Sequence, residues 1–255
     1  MQKITYLFVL LTCILSGAHY RSTALTVDIH TTQPHQPIIH SHLSNNDYAA
    51  RLKLDEWPVE KLNTAATAHY LSDIEKNMIL SMNLIRYNPS KYAELYVQEA
   101  IGYFRGMEFH YPGMEYILIT QEGVLPAKEL YEFLKQTLPK PIFNPSEGLS
   151  LAARSHATHQ SRNGETGHGG QGGMRARIER HGKWSGRIAE NITYGSTSSH
   201  LAILGLMIDD GVPDRGHRDN MLNEELQVAG VAWASHPRYP GGVYVIKYAG
   251  GFESD

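Results

Sequence analysis

Apolar residues run almost unbroken from Ile4 to Leu15, then become sparse until Ser72. Lys3 precedes the run and Ser16-Gly17-Ala18 follows it, so residues 1–18 have the form of a signal peptide cleaved after Ala18. The run is shorter than the ~20 residues a membrane span needs, and no later stretch reaches that length. Membrane association is therefore not required after cleavage. Residues 19–70 show little apolar periodicity. His30, His35, His40 and His42 stand there among Thr, Gln and Pro. The segment reads as a solvated polar linker rather than a metal-binding tract.

A helical period begins at Ser72. Ser72-Asp73-Ile74-Glu75 has the Ser-x-x-Glu form of a capping box, and Ile74, Met78, Met82 and Ile85 follow along one face. Asn88-Pro89 ends that helix and starts another carrying Tyr92, Leu95 and Tyr96. Residues 102–120 read as irregular, and Thr120 is a candidate cap for a helix running to Leu138. A further helix is predicted from Ser146 to Arg162. After it come a glycine-rich stretch over 164–173 and a short helix at 175–181. A strand at 189–195 and a helix at 200–209 follow, the helix stopped by Gly211 and Pro213. Two strands, 228–234 and 243–248, close the chain around a Pro- and Gly-rich turn. Helices first and antiparallel strands last predict an α+β fold, with the ordered domain over 71–255.

Charge and cysteine content narrow this further. The chain has 255 residues, 23 Lys+Arg, 26 Asp+Glu and a net charge of -3. No basic stripe is present, so nucleic acid is not an expected partner. Cys13 is the single cysteine and lies inside the signal segment, so a chain cleaved after Ala18 has no disulfide and must fold on core burial. An acylated Cys13 would instead make an envelope lipoprotein. Thr12 before it and Ile14-Leu15 after it disfavour that reading.

Familiar catalytic signatures are missing: no Gly-x-Ser-x-Gly, no His-Glu-x-x-His, no phosphate loop and no dinucleotide fingerprint. What remains is a polar set in the C-terminal half. His168 sits in Thr166-Gly167-His168-Gly169, Glu190 heads a strand, Asp209-Asp210 ends a helix, and His217 follows Gly216. Two neutral imidazoles with carboxylates suit a divalent ion such as zinc. From spacing alone, a His–Glu–Asp network that orders loops is the more economical reading.

These residues carry a resemblance. Asn83-x-x-Arg86, the 149–160 helix, Gly167-His168, Glu190-Asn191, Gly216-His217-Arg218-x-Asn220 and the closing strands occur in the order seen in the CAP superfamily (SCP/TAPS). The set most resembles the cysteine-poor bacterial branch. The resemblance covers residues 72–252 and is densest from Leu149 onward. It implies an α-β-α sandwich with a small antiparallel sheet and a large polar cleft, and it sets residues 102–138 apart as an insertion. It also implies that His168, Glu190 and His217 share the cleft. Asp209 or Asp210, with Asp210 favoured, would stand where the family has a second glutamate.

What the resemblance implies about function is a secreted or periplasmic monomeric binding module rather than a dedicated enzyme. Its cleft would take a divalent cation through His168 and His217, or a lipid, peptide or cell-envelope ligand, with no organic cofactor. The alternative is a metal-assisted hydrolase in which Glu190 deprotonates water on zinc held by His168 and His217.

Overall fold

The computed structural model describes residues 43–112 and 114–255. The signal segment, Cys13 and the histidines His30, His35, His40 and His42 lie outside them. Order begins well before Ser72. Ser44 accepts from the Asp47 amide and caps α1 (Asn45–Leu54), and α2 (Val59–Leu62) follows. Tyr48, Leu52, Trp57, Val59 and Leu62 are all buried in the main core. The linker expected over 19–70 therefore does not reach residue 70. α1 hides this in sequence because its inward face is thin: Tyr48 and Leu52 stand among Asn, Arg and Lys. Part of that face is polar, with Asn45 donating to Asn77 (2.9 Å) and the Tyr48 hydroxyl bonding Ser81 (2.8 Å).

The capping box forms as predicted. Ser72 accepts from the Glu75 amide (3.4 Å) and Glu75 accepts from the Ser72 amide (2.8 Å), opening α3 (Asp73–Tyr87). Asn88 and Pro89 start α4 (Pro89–Tyr92), which runs through a π-turn at Ala93–Val97 into α5 (Gln98–Ile101). Short strands β1 (Phe104–Arg105), β2 (Glu108–Phe109) and β3 (Leu118–Ile119) pair antiparallel. α6 (Leu125–Gln136) begins later than the Thr120 cap would place it, because the Thr120 hydroxyl donates to the Met107 carbonyl (2.7 Å).

The second half builds the main sheet. β4 (Asn144–Pro145), α7 (Glu147–Asn163) and α8 (Gly173–Glu179) precede β5 (Gly182–Tyr194). Then come α9 (Ser199–Ile208), α10 (Gly216–Leu222), β6 (Val228–His236) and β7 (Tyr239–Ser254). The strand order is β4-β6-β7-β5, antiparallel except where β4 runs beside β6. Alternation along β7 divides the core. Val243 and Val245 pack with Ala153 and Ala157 of α7, while Tyr244, Ile246 and Tyr248 face α3 and α9. Helices thus cover both faces, and the fold is an α-β-α sandwich within the α+β class. β5 is longer than the predicted 189–195 strand, since residues 182–188 are mostly exposed and the register shifts between Ser185 and Ile188.

Asn83 and Arg86 hold the layers together rather than a ligand. The Asn83 amide bonds Phe143 at both backbone groups and donates to the Leu62 carbonyl. Arg86, fully buried, lies over the Phe143 ring and donates to the carbonyls of Met221, Asn223 and Leu226.

A candidate cleft at the edge of the sheet

β5 is an edge strand, and the α7–α8 loop and the start of α10 meet it. His168 arrives from the α7–α8 side and His217 from the α9–α10 side. Their rings are stacked, with centroids 6.5 Å apart and planes 23° from parallel. The His168 side chain is 34% exposed and that of His217 only 9%.

The His168 loop is held through the Gly167 amide and the carbonyls of residues 167–170. Gly167 and Gly170 take positive φ (87° and 79°), a conformation that costs glycine little. The Gly167 amide donates to the Tyr194 hydroxyl (2.7 Å), and the Gly167 carbonyl accepts from Gln160 (2.6 Å) and faces His156 Nε2 (3.0 Å). Arg177 of α8 donates to the carbonyls of His168, Gly169 and Gly170. Burial lowers the pKa of His156 to about 4, so its ring is neutral at physiological pH.

Glu190 anchors the ring itself. Its Oε1 accepts from His168 Nδ1 (2.8 Å), both oxygens accept from Arg177 (3.0 and 3.2 Å), and Lys247 Nζ bonds Oε2. Arg177 and Lys247 are fully buried. Burial alone would raise the Glu190 pKa. The His168 hydrogen bond and the charges of Lys247 and Arg177 outweigh it and hold the group at about 2. Burial in turn lowers Lys247 to about 8, although Glu190 opposes this.

His217 is fixed in the same manner by Asp209. Asp209 Oδ1 accepts from His217 Nδ1 (2.6 Å), and Oδ2 accepts from the His217 amide (2.9 Å) and the Arg218 amide (3.3 Å). Asp209 closes α9 in the left-handed region (φ 60°), which a short acidic side chain tolerates. Asn191, next to Glu190 on β5, donates to the His217 carbonyl (2.9 Å), and Asn220 donates to Asn191 (3.0 Å). His217 lies in the first turn of α10 (Gly216–Leu222), a helix that glycine-flanked sequence did not suggest.

Asp210, favoured above as the fourth group, lies elsewhere. Its carboxylate accepts from the amides of Gln121 (2.7 Å) and Glu122 (2.8 Å). It is the first of several ties from the 102–138 segment. Glu122 pairs with Arg215 (2.7 Å), while Glu129 pairs with Arg215 (3.0 Å) and Arg218 (2.6 Å). Arg215 takes φ 51°, uncommon for a long side chain. The segment thus clamps the turn that presents His217. The sequence carried a faint signal of this, since the 102–138 segment holds Glu122 and Glu129 while residues 215–218 hold two arginines.

Arg177, Lys247, Tyr194 and the buried pair His156 and Gln160 belong to the site, yet none was singled out for it from sequence. Lys247 stands directly opposite Glu190 in the β5–β7 register, a pairing that only a known register reveals. Since both Nδ1 atoms face carboxylates, each ring has Nε2 left to meet a ligand. That is two donors. Structural zinc takes four protein ligands and catalytic zinc three. Among the described residues no group of three or more His, Cys, Asp or Glu is placed to hold an ion. Both carboxylates are spent on protein partners, so the donor set does not fit a resident metal.

A model of the cysteine-rich secretory protein (CAP) family matches residues 99–248, more than half of the chain. No curated protein matches it. Among solved structures, the chain is similar to an extracellular protein containing an SCP domain from Bacillus anthracis str. Ames. Identity is 19% over 43% of this chain and 34% of that one, with a TM-score of 0.35. The chain therefore spans about a third of that protein's length.

Proposed function

Because this chain belongs to the cysteine-rich secretory protein (CAP) family, we propose that it is a secreted or periplasmic binding module whose cleft takes a polar, cell-envelope-derived ligand. The observation that carries this reading is the pair of imidazoles at the β5 edge. Each has Nδ1 tied to a buried carboxylate, at 2.8 Å for His168 and 2.6 Å for His217. Orienting both rings in advance removes an ordering cost from binding. Two fixed Nε2 atoms suit the amides and hydroxyls of a peptide or glycan better than a lipid chain.

The same geometry weighs against a hydrolase. A general base works best with a pKa near the operating pH. Glu190, held at about 2 between two buried cations, is a weak base with no free oxygen for water.

Titration calorimetry with soluble cell-wall glycopeptide fragments tests the reading. The expected result is saturable binding, loss of binding in a His168→Ala/His217→Ala variant that melts like the parent, and recovery of chemically unchanged ligand. Cleaved ligand, or binding untouched by the double substitution, would refute it.

A further inference from the structure

The charges around the imidazole pair balance without a metal. Glu190 and Lys247 face each other directly across β5 and β7, so their side chains share one face of the sheet. On that face Glu190, one anion, meets two cations, Lys247 and Arg177, all three buried. Each Glu190 oxygen already has two partners: His168 and Arg177 on Oε1, Arg177 and Lys247 on Oε2. Across the cleft, Asp209 uses both oxygens on His217 and the Arg218 amide, and the Arg218 guanidinium is matched by Glu129. Counting Glu190 and Asp209 against Arg177 and Lys247 leaves no net negative charge beside the two rings.

We propose that Lys247 is the built-in cation of this cleft: its buried ammonium takes the place of a metal charge on Glu190, and this makes the imidazole pair a hydrogen-bonding site that excludes divalent ions. An arriving dication meets repulsion from Lys247 and finds no carboxylate oxygen to serve as a third ligand. Removing the ammonium lifts the repulsion and takes one of its two partners from Oε2. The inference rests on the reading that His168 and His217 line one ligand cleft.

The test is zinc titration by calorimetry at neutral pH on full-length protein carrying no His tag. The variants are Lys247→Gln, Lys247→Arg, and Lys247→Gln combined with His168→Ala. The parent should bind zinc no tighter than ~0.1 mM at the cleft. Lys247→Gln should gain a single site at least ~10-fold tighter, since a repelling charge is gone and Oε2 keeps only Arg177 of its two partners. Lys247→Arg, which keeps the charge, should behave like the parent, and adding His168→Ala should abolish the gain. Should Lys247→Gln fail to fold, the parent and Lys247→Arg still decide: tight, His168-dependent zinc binding by either overturns the proposal. An unchanged affinity in folded Lys247→Gln does so too, as does a gain that survives His168→Ala. The glycopeptide titration of the parent is separate, so the binding reading and the Lys247 assignment can fail independently.

Discussion

Cutting the chain back to Ser72 should abolish cooperative folding. The removed stretch places Tyr48, Leu52, Trp57, Val59 and Leu62 in the main core, each at most 3% exposed. Burying a large side chain contributes roughly 1.5–3 kcal/mol, so these five together contribute about 8–15 kcal/mol. That sum is an upper estimate, because a real unfolded chain already hides part of the same surface. It still rivals the ~5–15 kcal/mol by which a whole domain is stable. Polar ties go with it: Tyr48 to Ser81, Asn45 to Asn77, and the Leu62 carbonyl that accepts from Asn83. The assay is a thermal melt followed by circular dichroism on two shortened chains, one starting at Leu43 and one at Ser72. The first should melt cooperatively. The second should show no transition or expose surface that binds a hydrophobic dye. A chain starting at Ser72 that melts within about 5 °C of the longer one would refute the argument, because that interval corresponds to only 1–2 kcal/mol.

Two further expectations follow from the site. Asp209→Asn should cost about 1–2 kcal/mol and move the His217 proton from Nδ1 to Nε2. The amide oxygen must stay on the His217 and Arg218 amides, which turns the NH2 toward Nδ1. Nitrogen-15 NMR of the ring reads the tautomer, and an unchanged Nδ1–H would contradict the assignment. Acid should weaken the fold in two stages, measured as urea midpoints from pH 7 to pH 3. His156 has its folded pKa lowered from 6.5 to about 4, so only the unfolded chain takes up its proton between those values and stability falls there as pH drops. Glu190 is lowered from 4.5 to about 2, so its stabilisation is complete above 4.5 and is lost as pH falls toward 2. His156→Gln should flatten the upper stage and Glu190→Gln the lower one. A parent midpoint that does not move between pH 6.5 and 4 would exclude the first assignment.

Local rules were enough for much of this chain. The Ser72–Glu75 box, Pro89 at a helix start, the α7 period and the β6–β7 pair are written in neighbouring residues, because caps and amphipathic faces depend on spacing alone. The resemblance grouped His168, Glu190 and His217, and in the structure the two rings lie 6.5 Å apart with Glu190 on His168. Tertiary structure decided the rest. It chose Asp209 over Asp210, since adjacent carboxylates on a helix end point in different directions and only the folded turn shows which one meets His217. It gave the 102–138 segment a role, through Glu122 and Glu129 reaching arginines roughly ninety positions away. It placed Lys247 on Glu190, a contact set by strand register across 57 positions. It drew α1 into the core, where a thin apolar face and buried amide pairs replace the broad stripe that periodicity detects. Caps and periods are short-range and survive in the sequence. Charge pairing and burial depend on which distant segments meet, and the chain settles that only by folding.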